Sequence, residues 1–169
     1  ELMALVLLKF PDAPAAFRKG VLETLKDEQQ HTRWYVERMK ATGIHFGELP
    51  VSGYFWRAVS GMESPMDYVA GLSLTFEQAN LDFAGHFSKC FAEVGDADSA
   101  KLLQKIYRDE IGHVAYGLKW FRRWKNPGES DWNAFCRQLK FPLSPQRAKG
   151  FAVNVEGRRA AGLDADFIA

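Results

Sequence analysis

Two pentapeptides in this chain carry the residue types of a metal site: Asp27-Glu28-Gln29-Gln30-His31 and Asp109-Glu110-Ile111-Gly112-His113, with their glutamates 82 positions apart (110 minus 28). On a helix, Glu at i and His at i+3 project from one side a turn apart, so both reach a single cation. One Glu-x-x-His usually means a surface charge pair. Here the motif recurs at two of the four histidines, each time preceded by Asp and each time inside an apolar stripe. Glu28 shares its stripe with Phe17, Val21, Leu25, Thr32, Tyr35 and Met39, and Glu110 lies in line with Leu103, Ile106, Gly117 and Trp124. Both acids are therefore expected to point inward, where an ionised carboxylate without compensation costs several kcal/mol or is neutralised. Divalent cations would supply that compensation.

A third helical stripe, Ala70, Ser73, Leu74, Leu81 and Ala84, contains Glu77, and its small residues leave room beside the acid. Glu28, His31, Glu77, Glu110 and His113 then make five ligands for two ions. Their mixed carboxylate and imidazole character suits two iron ions, with manganese or a mixed Mn/Fe pair as alternatives. Asp27 and Asp109 are candidates to accept the second ring N–H of the ligating histidines across the pair, which fixes tautomer and orientation. Tyr35, four residues after His31, is a candidate to hydrogen-bond a ligand or take part in electron transfer, and Asn80 and Asp82 are candidate polar supports. The sixth ligand should come from the first helix. Shifting Glu77 by the same offset places it at about position −5 (77 minus 82), upstream of Glu1; Glu1 itself lies more than a turn too near the following turn. The chain is read as a fragment whose first helix begins upstream.

The elements that must carry these residues are legible as four helices. The tail of one runs from Glu1 to about Lys9 and ends at Phe10-Pro11. The second spans about Pro14 to Thr42 and stops at Gly43. Ser64 caps a third, with Pro65 at its first position, reaching about Glu93. The fourth spans about Ser99 to Lys125, closed by Asn126-Pro127-Gly128. Short links between helices 1 and 2 and between 3 and 4 make antiparallel hairpins, and the long bridge Gly43 to Glu63 crosses between them. The expected fold is an all-α, ferritin-like four-helix bundle with a long crossover between helices 2 and 3. Residues 1–169 form one domain: a bundle over 1–126 and an irregular C-terminal extension over 127–169, with short helices near Trp132 to Leu139 and Asn154 to Ala161.

Composition narrows the partners. Twenty-two basic and 21 acidic residues leave a net charge of +1, so bulk charge indicates neither nucleic acid nor an anionic membrane. Cys90 and Cys136 form no Cys-x-x-Cys, and the apolar run Leu2 to Leu8 is too short to span a bilayer. A cytoplasmic protein is expected, with a homodimer compatible. His45 and His86 have no motif partner and read as loop or packing residues. Trp34, Trp56, Trp120, Trp124 and Trp132 read as core or crossover packing, and Arg122, Arg123 and Lys125 as a basic helix C-terminus. Arg147, Lys149, Arg158 and Arg159 read as solvated surface, with an anionic substrate group as the competing role.

Five stretches together carry a resemblance: "FPDAP" at 10–14, "GELPVSGYFW" at 47–56, "LTFEQANLDF" at 74–83, "DEIGHVAYGLKWF" at 109–121 and "FPLSPQRAKG" at 141–150. The chain resembles an uncharacterised bacterial family of ferritin-like proteins known as a domain of unknown function. The resemblance implies a ferritin-like fold and a di-metal carboxylate site at Glu28, His31, Glu77, Glu110 and His113. It also implies a further His-Glu pair just before the position of Glu1. More distantly the chain is similar to the tRNA hydroxylases and quinone-biosynthesis hydroxylases, which implies oxygen chemistry. The expected function is a di-iron oxidoreductase activating O2 to hydroxylate or oxidise a small molecule, served by an electron donor. The alternatives are a metal-binding or ferroxidase and storage protein without an organic substrate, and a scaffold that binds no metal.

Overall fold

The computed structural model describes residues 1–168 and is all-helical, with no strand among the described residues. Helix α1 (Leu2–Lys9) and helix α2 (Ala15–Ala41) form the first hairpin. The crossover contains a short helix α3 (Tyr54–Val59) that the sequence pattern does not show. It has no side-chain cap and six residues, too few to persist alone. Packing holds it: Val59 is buried, and Phe55 stacks on Phe76 with ring centroids 4.2 Å apart.

The third rod runs unbroken from Pro65 to Glu93 in three windings: α4 (Pro65–Tyr68), a π-helical segment (Val69–Glu77) and α5 (Gln78–Glu93). Its start is a full capping box. Ser64 Oγ accepts from Asp67 N–H at 3.1 Å, and Asp67 Oδ2 accepts from Ser64 N–H at 3.0 Å. The π winding, absent from any propensity signal, coincides with burial around almost the whole girth of the rod. On one side, a Cβ at Gly71 would lie 3.1 Å from Leu143 and 3.3 Å from Val59; on the other, one at Gly117 would lie 2.2 Å from Ser73 Cβ. Thr75 Oγ1 donates to Ala70 O inside the rod at 2.8 Å.

Helix α6 (Ala97–Trp124) completes the second hairpin. Its cap, Asp96, accepts from Ser99 N–H at 3.0 Å and from Arg38 Nη2 at 2.6 Å, which ties the far end of α2 to the start of α6. The Arg38 guanidinium holds the Asp96 carboxyl well below the usual carboxylate range. No helix among the described residues is long and apolar enough to cross a membrane.

Beyond the bundle come α7 (Asp131–Gln138), a 3₁₀ turn (Pro145–Ala148), α8 (Val155–Ala160) and α9 (Ala165–Ile168). Arg122, expected only to complement the end of α6, reaches further: its Nε donates to Asp131 at 2.6 Å and its Nη2 to Gly162 O at 3.0 Å. Arg158 departs most from expectation. It is 2% exposed and paired with Asp82 of α5 through both terminal nitrogens, neither solvated nor open to a substrate.

The Gly117–Ser73 approach supplies a direct test. Ser73 Cβ sits on the backbone, so Gly117→Ala forces the two rods apart and is expected to cost about 3 kcal/mol. That is a fall in Tm of roughly 5–10 °C for a chain of this size. Gly112 has nothing within 4 Å of the added atom, so Gly112→Ala should leave Tm unchanged or raise it slightly. Thermal melts of the two variants by circular dichroism make the comparison.

Candidate metal centre

Three rods converge on one point between them. Helix α2 brings Glu28 and His31, the last π-helical residue is Glu77, and α6 brings Glu110 and His113. His31, Glu77, Glu110 and His113 are buried, and Glu28 is half-buried. One ligand atom each from Glu28, Glu77, Glu110 and His113 lies within 4.8 Å of the other three. His113 Nδ1 is 3.3 Å from Glu28 Oε1 and 3.4 Å from Glu110 Oε2. His31 stands at the edge of this group of four, its Nδ1 3.4 Å from Glu28 Oε1 and its ring 5.9 Å from that of His113.

The two aspartates cross over between helices. Asp109 Oδ2 lies 3.1 Å from His31 Nε2, and Asp27 Oδ2 lies 3.3 Å from His113 Nε2. Each histidine Nε2 thus faces the aspartate of the other pentapeptide; with a proton held between them, Nδ1 is the nitrogen that would turn a lone pair toward a cation among the acids. Asn80 Nδ2 donates to Glu110 Oε1 at 2.9 Å and fixes that carboxylate.

The fit of a cation can be judged from what is left over. Buried side-chain nitrogen and oxygen atoms without a hydrogen-bond partner, among the described residues, are Glu28 Oε1, His31 Nδ1, Glu77 Oε1 and Oε2, Glu110 Oε2 and His113 Nδ1. All belong to this one cluster. Stranded polar atoms each cost about 1–3 kcal/mol, so a fold tolerates them together only where something else binds them. The donor set, three carboxylates and two neutral imidazole nitrogens, is that of a divalent transition metal.

Without a cation, protons take over its charge. Burial, then the neighbouring Glu110, pushes the Glu77 carboxyl up to about 8. Burial opposes ionisation of Glu28 too, but His113 and His31 outweigh it and hold that carboxyl down at about 2. Burial likewise works against charge on His113, yet Glu110 and Glu28 raise it to about 11, and Glu28 and Asp109 raise His31. Metal binding would displace these protons.

Three expectations are corrected. Tyr35 is 39% exposed and makes no hydrogen bond among the described residues; burial and then Glu110 push its phenol up to about 12. Thr32 is exposed as well, because the side of α2 beyond Leu25 faces a cavity, not a packed helix. Asp82 does not support the cluster but turns away to Arg158. Glu1 lies on the cavity wall, outside the group of four. His45 is exposed on the crossover, and His86 packs beside Phe87 and Phe151. The room that small residues were expected to leave beside Glu77 is a cavity of about 730 Å³, with Leu25, Glu28, Leu72, Phe76, Glu77 and Glu110 along it.

Asp27→Asn and Asp109→Asn keep side-chain size but can present an N–H where the histidine needs an acceptor. Each is expected to weaken manganese binding by about 10–100-fold, read by competition against a fluorescent chelator.

Fold and site define a class: an all-α bundle with a buried carboxylate and imidazole cluster carried by three of its rods. The chain belongs to the family described as "Protein of unknown function (DUF455)", whose model matches residues 1–169. It is similar to an uncharacterized protein of Haemophilus influenzae (strain ATCC 51907 / DSM 11121 / KW20 / Rd), at 26% identity over 107 residues. That match covers 63% of this chain and 37% of the Haemophilus protein. No solved structure matches.

Proposed function

We propose that the protein is a di-metal carboxylate oxidoreductase, with iron as its metal, that uses O2 to hydroxylate or oxidise an organic substrate. The observation that carries this reading is the convergence of every buried, partnerless side-chain nitrogen and oxygen among the described residues on five metal-ligating residues beside a cavity. Glu28, Glu77, Glu110 and His113 would hold the metal, with His31 joining through Nδ1. Ferrous ions bound there would supply the site of O2 reduction and pass on electrons that a separate donor must provide.

The chain's own residues orient and select. Asp27 and Asp109 keep the imidazoles in the tautomer whose Nδ1 is free, and Asn80 keeps Glu110 from swinging. Leu25, Leu72 and Phe76 give the approach apolar walls, so a substrate's C–H bond, not bulk water, is brought to the acids. The similarity to tRNA and quinone-biosynthesis hydroxylases noted from the sequence agrees with oxygen chemistry by fold-level analogy.

A second reading, metal binding without an organic substrate, is favoured by one observation: the donors within 4.8 Å of one another number four, enough for one ion. Elemental analysis of the purified full-length protein separates the readings by its count of iron or manganese per chain. The activity is tested by oxygen consumption of ferrous-loaded protein with a chemical reductant, against Glu110→Ala. A rate no higher than that of the variant rules out the oxidoreductase.

A further inference from the structure

The cavity that reaches the acid cluster has a mouth of opposite character. Arg147 and Lys149, both exposed, line it together with the exposed Glu1 and the aromatic residues Tyr54, Phe55 and Phe76, while Glu77 and Glu110 on the same cavity are buried and Glu28 is half-buried, which places the acids at its inner end. Neither cation forms a salt bridge among the described residues, although the extension around them contains several ion pairs. Arg147 instead lies over the Tyr54 ring, 5.2 Å from its centroid, and Tyr54 meets Phe76 edge to face at 5.9 Å. Phe55 and Phe76 complete a stacked apolar wall.

The backbone that carries these cations is anchored. Lys149 lies between two anchored backbone groups: Ala148 O accepts from Arg158 Nη2 at 2.9 Å, and Gly150 N–H donates to Asp82 Oδ2 at 2.8 Å. Gly150 has to be glycine for this, since a Cβ there would stand 2.9 Å from Asp82 Cβ and 3.2 Å from Phe83. A buried ion pair is a costly way to anchor a loop. It fixes where the backbone at Arg147 and Lys149 stands relative to the aromatic wall.

We propose that Arg147 and Lys149 form an anion subsite, holding the carboxylate or phosphate of an amphipathic small molecule whose aromatic or alkyl body lies along Tyr54, Phe55 and Phe76 toward the acid cluster. The assignment of this molecule as substrate rests on reading the cluster as the reaction centre. Charge sets its direction. An anionic group at the inner end would face three acids, Glu28, Glu77 and Glu110, whereas at the exposed end it meets two cations without a salt bridge among the described residues against the single acid Glu1. The volume suits a ligand of ordinary metabolite size. Two cations at one mouth, in a chain of net charge +1, are too few for a polyanion surface.

The test is calorimetric titration of the full-length protein, metal-free after chelation and again manganese-loaded, with 6-phenylhexanoate, 6-phenylhexyl phosphate and the neutral 6-phenylhexanol. Both anions, or one of them, should bind at least about tenfold tighter than the alcohol; the ratio between them identifies the preferred group. Arg147→Ala with Lys149→Ala should erase that preference while changing the alcohol's affinity less than about twofold, and Lys149→Glu alone should turn it against anions. Both side chains are exposed, so the variants are expected to fold, and a melt of each confirms it. Equal binding of all three compounds, binding of none, or an anion preference that survives the double variant overturns the subsite. Elemental analysis of the same samples keeps the two readings apart: anion preference in a chain that takes up no metal leaves the subsite standing and removes the metal centre, and the reverse pattern removes the subsite alone.

Discussion

Glu110→Ala protein is expected to lose its response to metal while keeping its fold. Wild-type protein should gain about 2.7 kcal/mol of stability at a ferrous or manganous concentration one hundred times the dissociation constant, and the variant should gain nothing measurable at that concentration. Glu110 is the residue to remove because it is tied into the cluster from several sides. Its Oε1 accepts from Asn80, its Oε2 faces His113 Nδ1 at 3.4 Å, and it is 3% exposed. Loss of the acid therefore deletes a candidate ligand and also frees the imidazole it faces. In chelated protein the same change has a smaller effect, because it removes one of three acids that crowd one another, at the cost of a small void. Glu110→Gln separates void from charge, since it keeps the volume and a bond to Asn80 and removes the negative charge. Both variants should fall to background oxygen consumption with any reductant. Melting curves with and without metal make the measurement, and a variant stabilised by metal as much as the wild type shows that Glu110 is no ligand.

Much of this centre was legible because helical register is a local property. The paired Asp-Glu-x-x-His motifs put acid and imidazole on one side of α2 and of α6, and the same register set the aspartates to reach across. Ser64-Pro65 marked the start of the third rod, although not the reciprocal bond from Asp67 that makes it a capping box. What escaped notice depends on contacts distant in sequence. The π winding at Val69–Glu77 goes with burial on nearly all sides, a property of neighbours such as Gly117 and Val59, not of the segment's own composition. Helix α3 exists because Phe55 and Val59 find Phe76 and Gly71. Thr32 and Tyr35 continued an apolar stripe in the sequence, but Thr32 lines a cavity where the stripe assumed a packed helix, and Tyr35 one turn on is 39% exposed. Arg158 looked like one more charge in a basic tail, since its partner lies 76 residues earlier. A buried charge far from its counter-ion in sequence gives no local signal.

That pair carries the second large expected effect. Arg158 and Asp82 side chains are 2% and 1% exposed, and Asp82 accepts from Gly150 N–H at 2.8 Å and Asn154 N–H at 2.6 Å as well as from the guanidinium. Removing one partner of a buried pair costs about 3–5 kcal/mol because the other is left charged in a low dielectric; for a chain of this length Tm should fall by roughly 10 °C or more. Asp82→Asn should be the worse of the two single changes, since it strands a guanidinium that cannot shed its proton. Arg158→Met leaves the aspartate with two backbone donors and strands Ala148 O. The double variant should recover part of the loss but not all of it, because Gly150 and Asn154 would still lack their full carboxylate acceptor. Arg158→Lys, with a single ammonium in place of a fork, should fall between wild type and Arg158→Met. Urea titrations of the four variants give the cycle directly. If each single change costs under about 1 kcal/mol, as a surface pair would, the Asp82–Arg158 pair does not anchor the extension, and the anchoring of the backbone at Arg147 and Lys149 goes with it.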